Sequence, residues 1–182
     1  MAIAAVRPAA DSDVDEIVRI QADTWRVAYA GILPEEALEQ LRGDQARAAW
    51  ADAVAAGEGS GAESYWVFVA TEGEWTVGFC AAARYAGRED RDIAEISALV
   101  VEPRWARRGH GGRLLAAAAE ALRGAGSERG RAWVPETDAA TRGFYARAGW
   151  APDGAARTLD TGTRTVREVR CSGSLDLVLT GS

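Results

Sequence analysis

Residues 95–115, EISALVVEPRWARRGHGGRLL, read as a buried strand, a glycine-rich turn and the opening of a helix. Ile96, Ala98, Leu99, Val100 and Val101 form a short apolar run, and Glu102-Pro103 ends it because proline supplies no N–H to a sheet ladder. Gly109, Gly111 and Gly112 let a ligand approach the backbone closely. Leu114, Leu115, Ala118 and Leu122 then share one helical face. The first N–H groups of a helix have no internal partner, so this arrangement builds an anion site, and Arg107 and Arg108 add charge that favours a phosphate.

Two familiar phosphate-binding turns are excluded. A dinucleotide fingerprint G-x-G-x-x-G would put its third glycine on Leu114. A phosphate loop needs a lysine, and the chain has none: all 21 of its basic residues are arginine. The same absence removes Schiff-base lysine chemistry. His110 is the only histidine, so a zinc site or a Ser/His/Asp triad is hard to assemble and no metal is expected. Cys80 and Cys171 form no C-x-x-C pair and read as small buried residues.

The chain of 182 residues fits one domain spanning 1–182, and its net charge of −6 argues against nucleic acid and for an amine or cationic partner. Arg7-Pro8 cuts off any secretory apolar segment, and no run approaches the roughly 20 apolar residues of a membrane helix. A cytoplasmic protein with no membrane partner is the expectation.

Outward from the central stretch, the elements alternate in type. Ile3–Val6 is a strand closed by Pro8. Asp11 or Ser12 caps a helix with Val14, Ile17, Val18, Ala22, Trp25 and Tyr29 at helical spacing. Pro34 starts a second helix, and Asp44 caps a third that runs out in the loop GEGSGAES. Tyr65–Ala70 and Thr76–Tyr85 make a hairpin, and the charged run from Arg88 to Asp92 is a second turn. After the glycine-turn helix come a strand at Arg131–Val134, a helix capped by Asp138, and a final strand pair at Arg157–Asp160 and Thr165–Cys171. This order gives an α/β (α+β) fold: a mixed, largely antiparallel sheet with helices on both faces, in which strand, glycine turn, helix and strand form a parallel crossover.

The loop Ala106-Arg107-Arg108-Gly109-His110-Gly111 resembles the acetyl-CoA loop Q/R-x-x-G-x-G/A of the GNAT acetyltransferase superfamily. Trp133-Val134, Asp138, Phe144-Tyr145 and Gly149-Trp150 resemble the family's second half, and Val6-Arg7-Pro8-Ala9 its beginning. Two positions depart from the pattern: Ala106 stands for glutamine or arginine, and Asp138 for asparagine.

The resemblance implies acetyl-CoA as cofactor and a splayed central strand, with a bulge as the device that opens it. It puts backbone groups of Leu99, Val100 and Val101 along the pantetheine arm, and the turn from Arg107 and Arg108 through Gly109, His110, Gly111 and Gly112 on the pyrophosphate, assisted by Arg113. The side chain of His110 would point away from the thioester. Asp138 and Phe144 would also line the cofactor. Glu95 is the implied base, acting through a water, and Tyr145 the acid for the departing thiolate. A solvated strand end for Glu95 and simple ring packing for Tyr145 are the alternatives. Trp25 and Tyr29, which core packing also explains, would line the acceptor site, with Glu35 or Arg84 beside them. The acceptor is a small-molecule or peptide amine of unnamed identity, and a homodimer through Val166–Leu179 is a further expectation. A CoA-binding sensor or scaffold without catalysis is the other reading, kept open by Ala106 and Asp138.

Overall fold

A computed structural model describes residues 3–57, 63–87, 92–162 and 164–177. The interior of the GEGSGAES loop, most of the charged turn after Ala86, and Leu179 lie outside the described residues. Seven strands form one sheet in the order β1-β2-β3-β4-β5-β7-β6. They are β1 (Ala4–Pro8), β2 (Ser64–Glu72), β3 (Trp75–Ala86), β4 (Asp92–Val101), β5 (Arg129–Pro135), β6 (Ala151–Asp160) and β7 (Thr165–Ser174). Between them run α1 (Val14–Ala28), α2 (Glu35–Gln40), α3 (Asp44–Ala56), α4 (His110–Gly124) and α5 (Ala139–Arg147). Only β4 and β5 pair in parallel; every other neighbouring pair is antiparallel. The mixed, largely antiparallel sheet is therefore the one the sequence implies. No helix among the described residues is long and apolar enough to cross a membrane.

Two cores separate the faces. On one, Ile17 and Ile20 of α1 pack on Val67, Val69, Phe79 and Ala81, with Trp50 of α3 edge-on to Phe79. On the other, Leu114, Leu115, Ala118 and Leu122 of α4 meet Cys80, Ala82, Ile96 and Val134, together with Tyr145 and Trp150. Trp150 anchors this second face. Its indole lies where a Cβ on Gly130 or Gly173 would overlap it, and its Nε1 donates to the Ser174 carbonyl at 2.9 Å.

Three expectations need correction. The first concerns the start of α1, where neither Asp11 nor Ser12 acts as the cap. Residues Asp11–Asp13 form a 3-10 turn that brings the buried Asp13 carboxylate back to accept from the Ala10 N–H at 2.8 Å and from Arg7 at 2.6 and 2.9 Å. Asp44 likewise is the first residue of α3 rather than its cap, which is Gly43. The third concerns the sheet edge. β7 is enclosed between β5 and β6, so residues 168–172 of the expected homodimer edge Val166–Leu179 face a strand of the same sheet on each side; the outer strand at this end of the sheet is β6.

The Arg7 guanidinium holds the Asp13 carboxyl below its ordinary value. A carboxyl depressed on folding stabilises the fold above the unfolded value near 3.9 and loses that contribution as pH falls through the folded value. Asp13→Asn should cost about 1.5–3 kcal/mol at pH 7, and the difference from the unaltered chain should shrink below about pH 4. Urea unfolding at the two pH values measures both.

Candidate functional site

The site begins where the sheet comes apart. β4 and β5 share a single register pair, Glu95 with Arg131, and beyond it the two strands diverge. At the same point β4 carries an extra residue against β3: Ala82 pairs with Ile96 but Ala81 with Ala98, leaving Ser97 bulged, its Oγ donating to the Ala81 carbonyl at 3.2 Å. A bulge bends its strand and increases the local twist, which carries β4 away from β5. It also resets the alternation of side chains. Ile96 faces the α4 core before the bulge, and Leu99 and Val101 face it afterwards.

Backbone direction follows from register. The Glu102 N–H donates to the Val77 carbonyl at 2.9 Å, so even-numbered residues of this part of β4 address β3. The N–H and C=O groups of Leu99 and Val101 therefore face the opening, as an unpaired strand edge.

The glycine turn sits at the end of that edge. Gly109, left-handed at φ 81°, is the N-cap of α4 and offers no side chain to the helix, so the N–H groups of His110, Gly111 and Gly112 keep the vacant donors of a helix start. Gly111 lies beneath the Phe144 ring, where a Cβ would come within 3.2 Å of Cε2, and nothing stands within 4 Å of a Cβ on Gly112. Phe144 and Leu99 thus converge on the first turn of α4 from the two lips of the opening.

Side chains of the turn divide into two sets. Glu72, at the end of β2, takes His110 Nε2 at 2.8 Å and Arg108 Nη1 at 3.0 Å, and the Arg108 guanidinium also stacks 4.9 Å from the Trp105 ring. These bonds tie the turn to the β2–β3 hairpin, and the buried His110 offers a ligand its backbone N–H. Arg107 and Arg113 are the arginines outside that tether. Arg113 Nη1 donates to the Arg108 carbonyl at 3.3 Å across Gly109. Among the described residues Arg107 alone of the non-glycines has a positive φ, 63°.

On the α5 side Tyr145 is buried, stacked parallel to Trp150 at 5.4 Å and edge-on to Phe144 at 5.2 Å. Burial, with Cys80 and Cys171 nearby, pushes its phenol pKa well up and keeps it protonated. Asp138 caps α5, accepting from the Thr141 N–H at 2.9 Å and the Thr141 hydroxyl at 2.7 Å. Both carboxylate oxygens serve the cap.

The opposite sheet face carries polar groups. Glu95 accepts from Arg131 Nε at 2.8 Å and from the Tyr85 hydroxyl at 3.2 Å, while Arg131 Nη2 donates to the same hydroxyl at 2.9 Å. Trp25 and Tyr29, 5.0 Å apart, are half-buried at the end of α1. Burial, then the charges of Glu168 and Asp138, raise the Tyr29 pKa, which puts α1 beside the far ends of β5 and β7. Thr161, at the β6–β7 turn, donates its hydroxyl to the Arg164 carbonyl at 2.8 Å, and the Ile32 carbonyl lies 3.4 Å from the same oxygen, which brings the chain after α1 against this turn. Glu35 and Arg84 are engaged at the rim, with Arg26 and Asp92 respectively.

Tyr85, Arg131 and Glu168 join this face although the sequence gives them no site role, and Trp133, part of the motif Trp133-Val134, stands with them. Their signal is register: Arg131 and Trp133 alternate with the buried Gly130, Ala132 and Val134. The arrangement as a whole supplies an open strand edge, a helix start with no side-chain cap, and an acid–phenol–guanidinium group on the reverse side.

Residues 15–150 match the family described as Acetyltransferase (GNAT) family. No curated protein sequence matches the chain. Among solved structures it is similar to the PaiA N-acetyltransferase of Thermoplasma acidophilum in complex with coenzyme A, with TM-score 0.75, 17% identity, and coverage of 94% of this chain and 99% of that one. It is also similar to yncA of Salmonella typhimurium with its cofactor acetyl-CoA, with TM-score 0.69, 20% identity, and coverage of 95% and 94%. A GCN5-related N-acetyltransferase of Rhodopseudomonas palustris gives TM-score 0.69, 19% identity, and coverage of 96% and 97%.

A left-handed backbone costs an ordinary L-residue about 1–2 kcal/mol. Arg107→Gly should therefore raise unfolding stability by about 1 kcal/mol; a denaturant midpoint that falls instead would show that the Arg107 side chain contributes more than its backbone conformation costs.

Proposed function

The chain belongs to the acetyltransferase (GNAT) family, and from that premise we propose that it moves an acetyl group from acetyl-CoA to a primary amine, by direct attack with both reactants bound. The observation that carries this reading is the opening between β4 and β5, which leads from an unpaired strand edge to an uncapped helix start. Such a groove fits a long, pyrophosphate-bearing thioester. The N–H groups of His110, Gly111 and Gly112 would hold the pyrophosphate with Arg107 and Arg113 near it, and Leu99 and Val101 would pair with the pantetheine amides as an added strand does. Phe144 would cover the arm. Acetyl-CoA supplies an activated acetyl thioester.

The remaining chemistry belongs to the protein. A backbone N–H at Leu99 directed into the opening can polarise the thioester carbonyl; preorganised donors of this kind contribute about 2.7–4 kcal/mol in acyl transfer. An alkylamine with pKa near 10 arrives protonated at neutral pH and must lose a proton before attack. Glu95, at the base of the opening on the acceptor face, is the acceptor of that proton through a water. Tyr145 holds a proton that it can give to the departing thiolate. Trp25 and Tyr29 would line the acceptor side.

Direct attack is favoured over a covalent acetyl-enzyme by the state of the cysteines. Both are buried, and burial pushes the Cys80 thiol up to about 12 and raises Cys171 as well, so neither is an activated nucleophile. Release of CoA in a burst without an acceptor would overturn this order of events.

Glu95→Gln should lower kcat by about 10²–10⁴-fold, the range of a lost general base, with acetyl-CoA affinity little changed by isothermal titration. Unchanged turnover would remove Glu95 from the mechanism. Binding of acetyl-CoA with no thiol release against any amine would favour a sensor or scaffold over an enzyme.

A further inference from the structure

On the acceptor face, beside the opening, Trp133 is flanked by two guanidinium groups. Arg157 of β6 lies 4.4 Å from its ring centroid and Arg170 of β7 lies 5.8 Å away. Both are positioned by acids through Nε: Arg157 by Glu168 at 2.5 Å, Arg170 by Asp153 at 2.7 Å. An arginine tethered at Nε turns its forked terminal nitrogens beyond the acid, in the geometry that matches a carboxylate.

The backbone fixes each part. Trp133 and Arg170 are register partners, as are Arg157 and Glu168 one row further along, so all four share a sheet face. Asp153 stands in the β6 bulge between Pro152 and Ala156, where it also accepts from the Ala155 N–H at 3.0 Å. Glu168 is nearly buried while Arg157 keeps 44% of its side-chain surface, so the exposed end of that pair is positive; in the second pair Arg170 and Asp153 are both part-exposed, at 30% and 23%. Trp133 stands two residues beyond Arg131, about 6.6 Å along the strand from the residue that holds Glu95.

We infer that the acceptor amine carries a carboxylate, held by Arg157 and Arg170 while its amino group lies toward Glu95. The inference rests on the acetyl-transfer reading above and names its substrate class. Each guanidinium already shares its charge with an acid, which suits a single negative charge better than a doubly charged phosphate.

The test compares acetylation of two matched pairs, L-leucine with L-leucinamide and 4-aminobutyrate with n-butylamine, with spermidine as a third kind of amine. In at least one pair kcat/KM should favour the carboxylate by about 10–100-fold, the range of charge-assisted hydrogen bonds. The amide's lower amine pKa favours the opposite order. In the doubly substituted Arg157→Gln, Arg170→Gln protein that ratio should fall to near one, with acetyl-CoA affinity reporting an intact fold. Transfer to leucinamide, butylamine or spermidine with no gain for either carboxylate overturns the inference and leaves acetyl transfer standing. A preference that survives the double substitution overturns the assignment to these arginines, and no transfer to any probe overturns both readings.

Discussion

The sheet holds together at one place where it could have continued and does not. Glu95 and Arg131 are the only residues at which β4 and β5 stay in register, and their side chains form an ion pair on the same spot. Ser97 adds its extra residue immediately beyond, so the covalent chain cannot follow the partner strand further. Everything attached to the upper lips is carried by this divergence: Leu99 and the glycine turn go with β4, Trp133 and α5 with β5. Tyr85 adds a bond to each member of the pair, which fixes the apex from β3 as well.

Much of this was legible in the residues. Proline and glycine punctuation separated the elements, and the apolar run before Glu102-Pro103 located the strand that opens. The bulge was implied only by resemblance, because nothing about Ser97 in the sequence distinguishes a bulged residue from a paired one. Caps were less accessible. Asp11, Ser12 and Asp13 are all chemically suitable, and the choice falls on Asp13 through Arg7, a partner on a different element. The final strand pair forms as the sequence implies, but which of the two is outermost is not written in it: the sheet inserts β7 between β5 and β6, and strand order is a tertiary property. Arg131 carries no signal of its own in the sequence, and Trp133 only that of a motif, because the significance of both lies in what faces them across strands.

A chain without lysine must use guanidinium for every cation, and the fold exploits what that group can do beyond bearing charge. Arg104 and Arg108 both lie against Trp105 beside the glycine turn, and Arg157 and Arg170 against Trp133 on the opposite sheet face. In each place a planar cation rests on an indole while an acid takes one of its nitrogens. Ring contact and ion pair together fix the plane of the guanidinium, which an ammonium on a flexible stem would leave free to rotate. The turn and the Trp133 face of the sheet are thereby stiffened by the same device, built from different strands.

The exposed edge of the sheet has a bearing on how the molecule behaves among its own copies. An outermost strand with a full row of free amides is a template for fibre growth. β6 breaks that row. Pro152 lacks an N–H, and the three residues from Asp153 to Ala155 stand against Arg170 alone on β7, with Gly154 at φ 90°. A stray strand approaching this edge would meet an interrupted ladder after a few residues. The kink that seats Asp153 beside Arg170 thus also blunts this edge against the addition of a further strand.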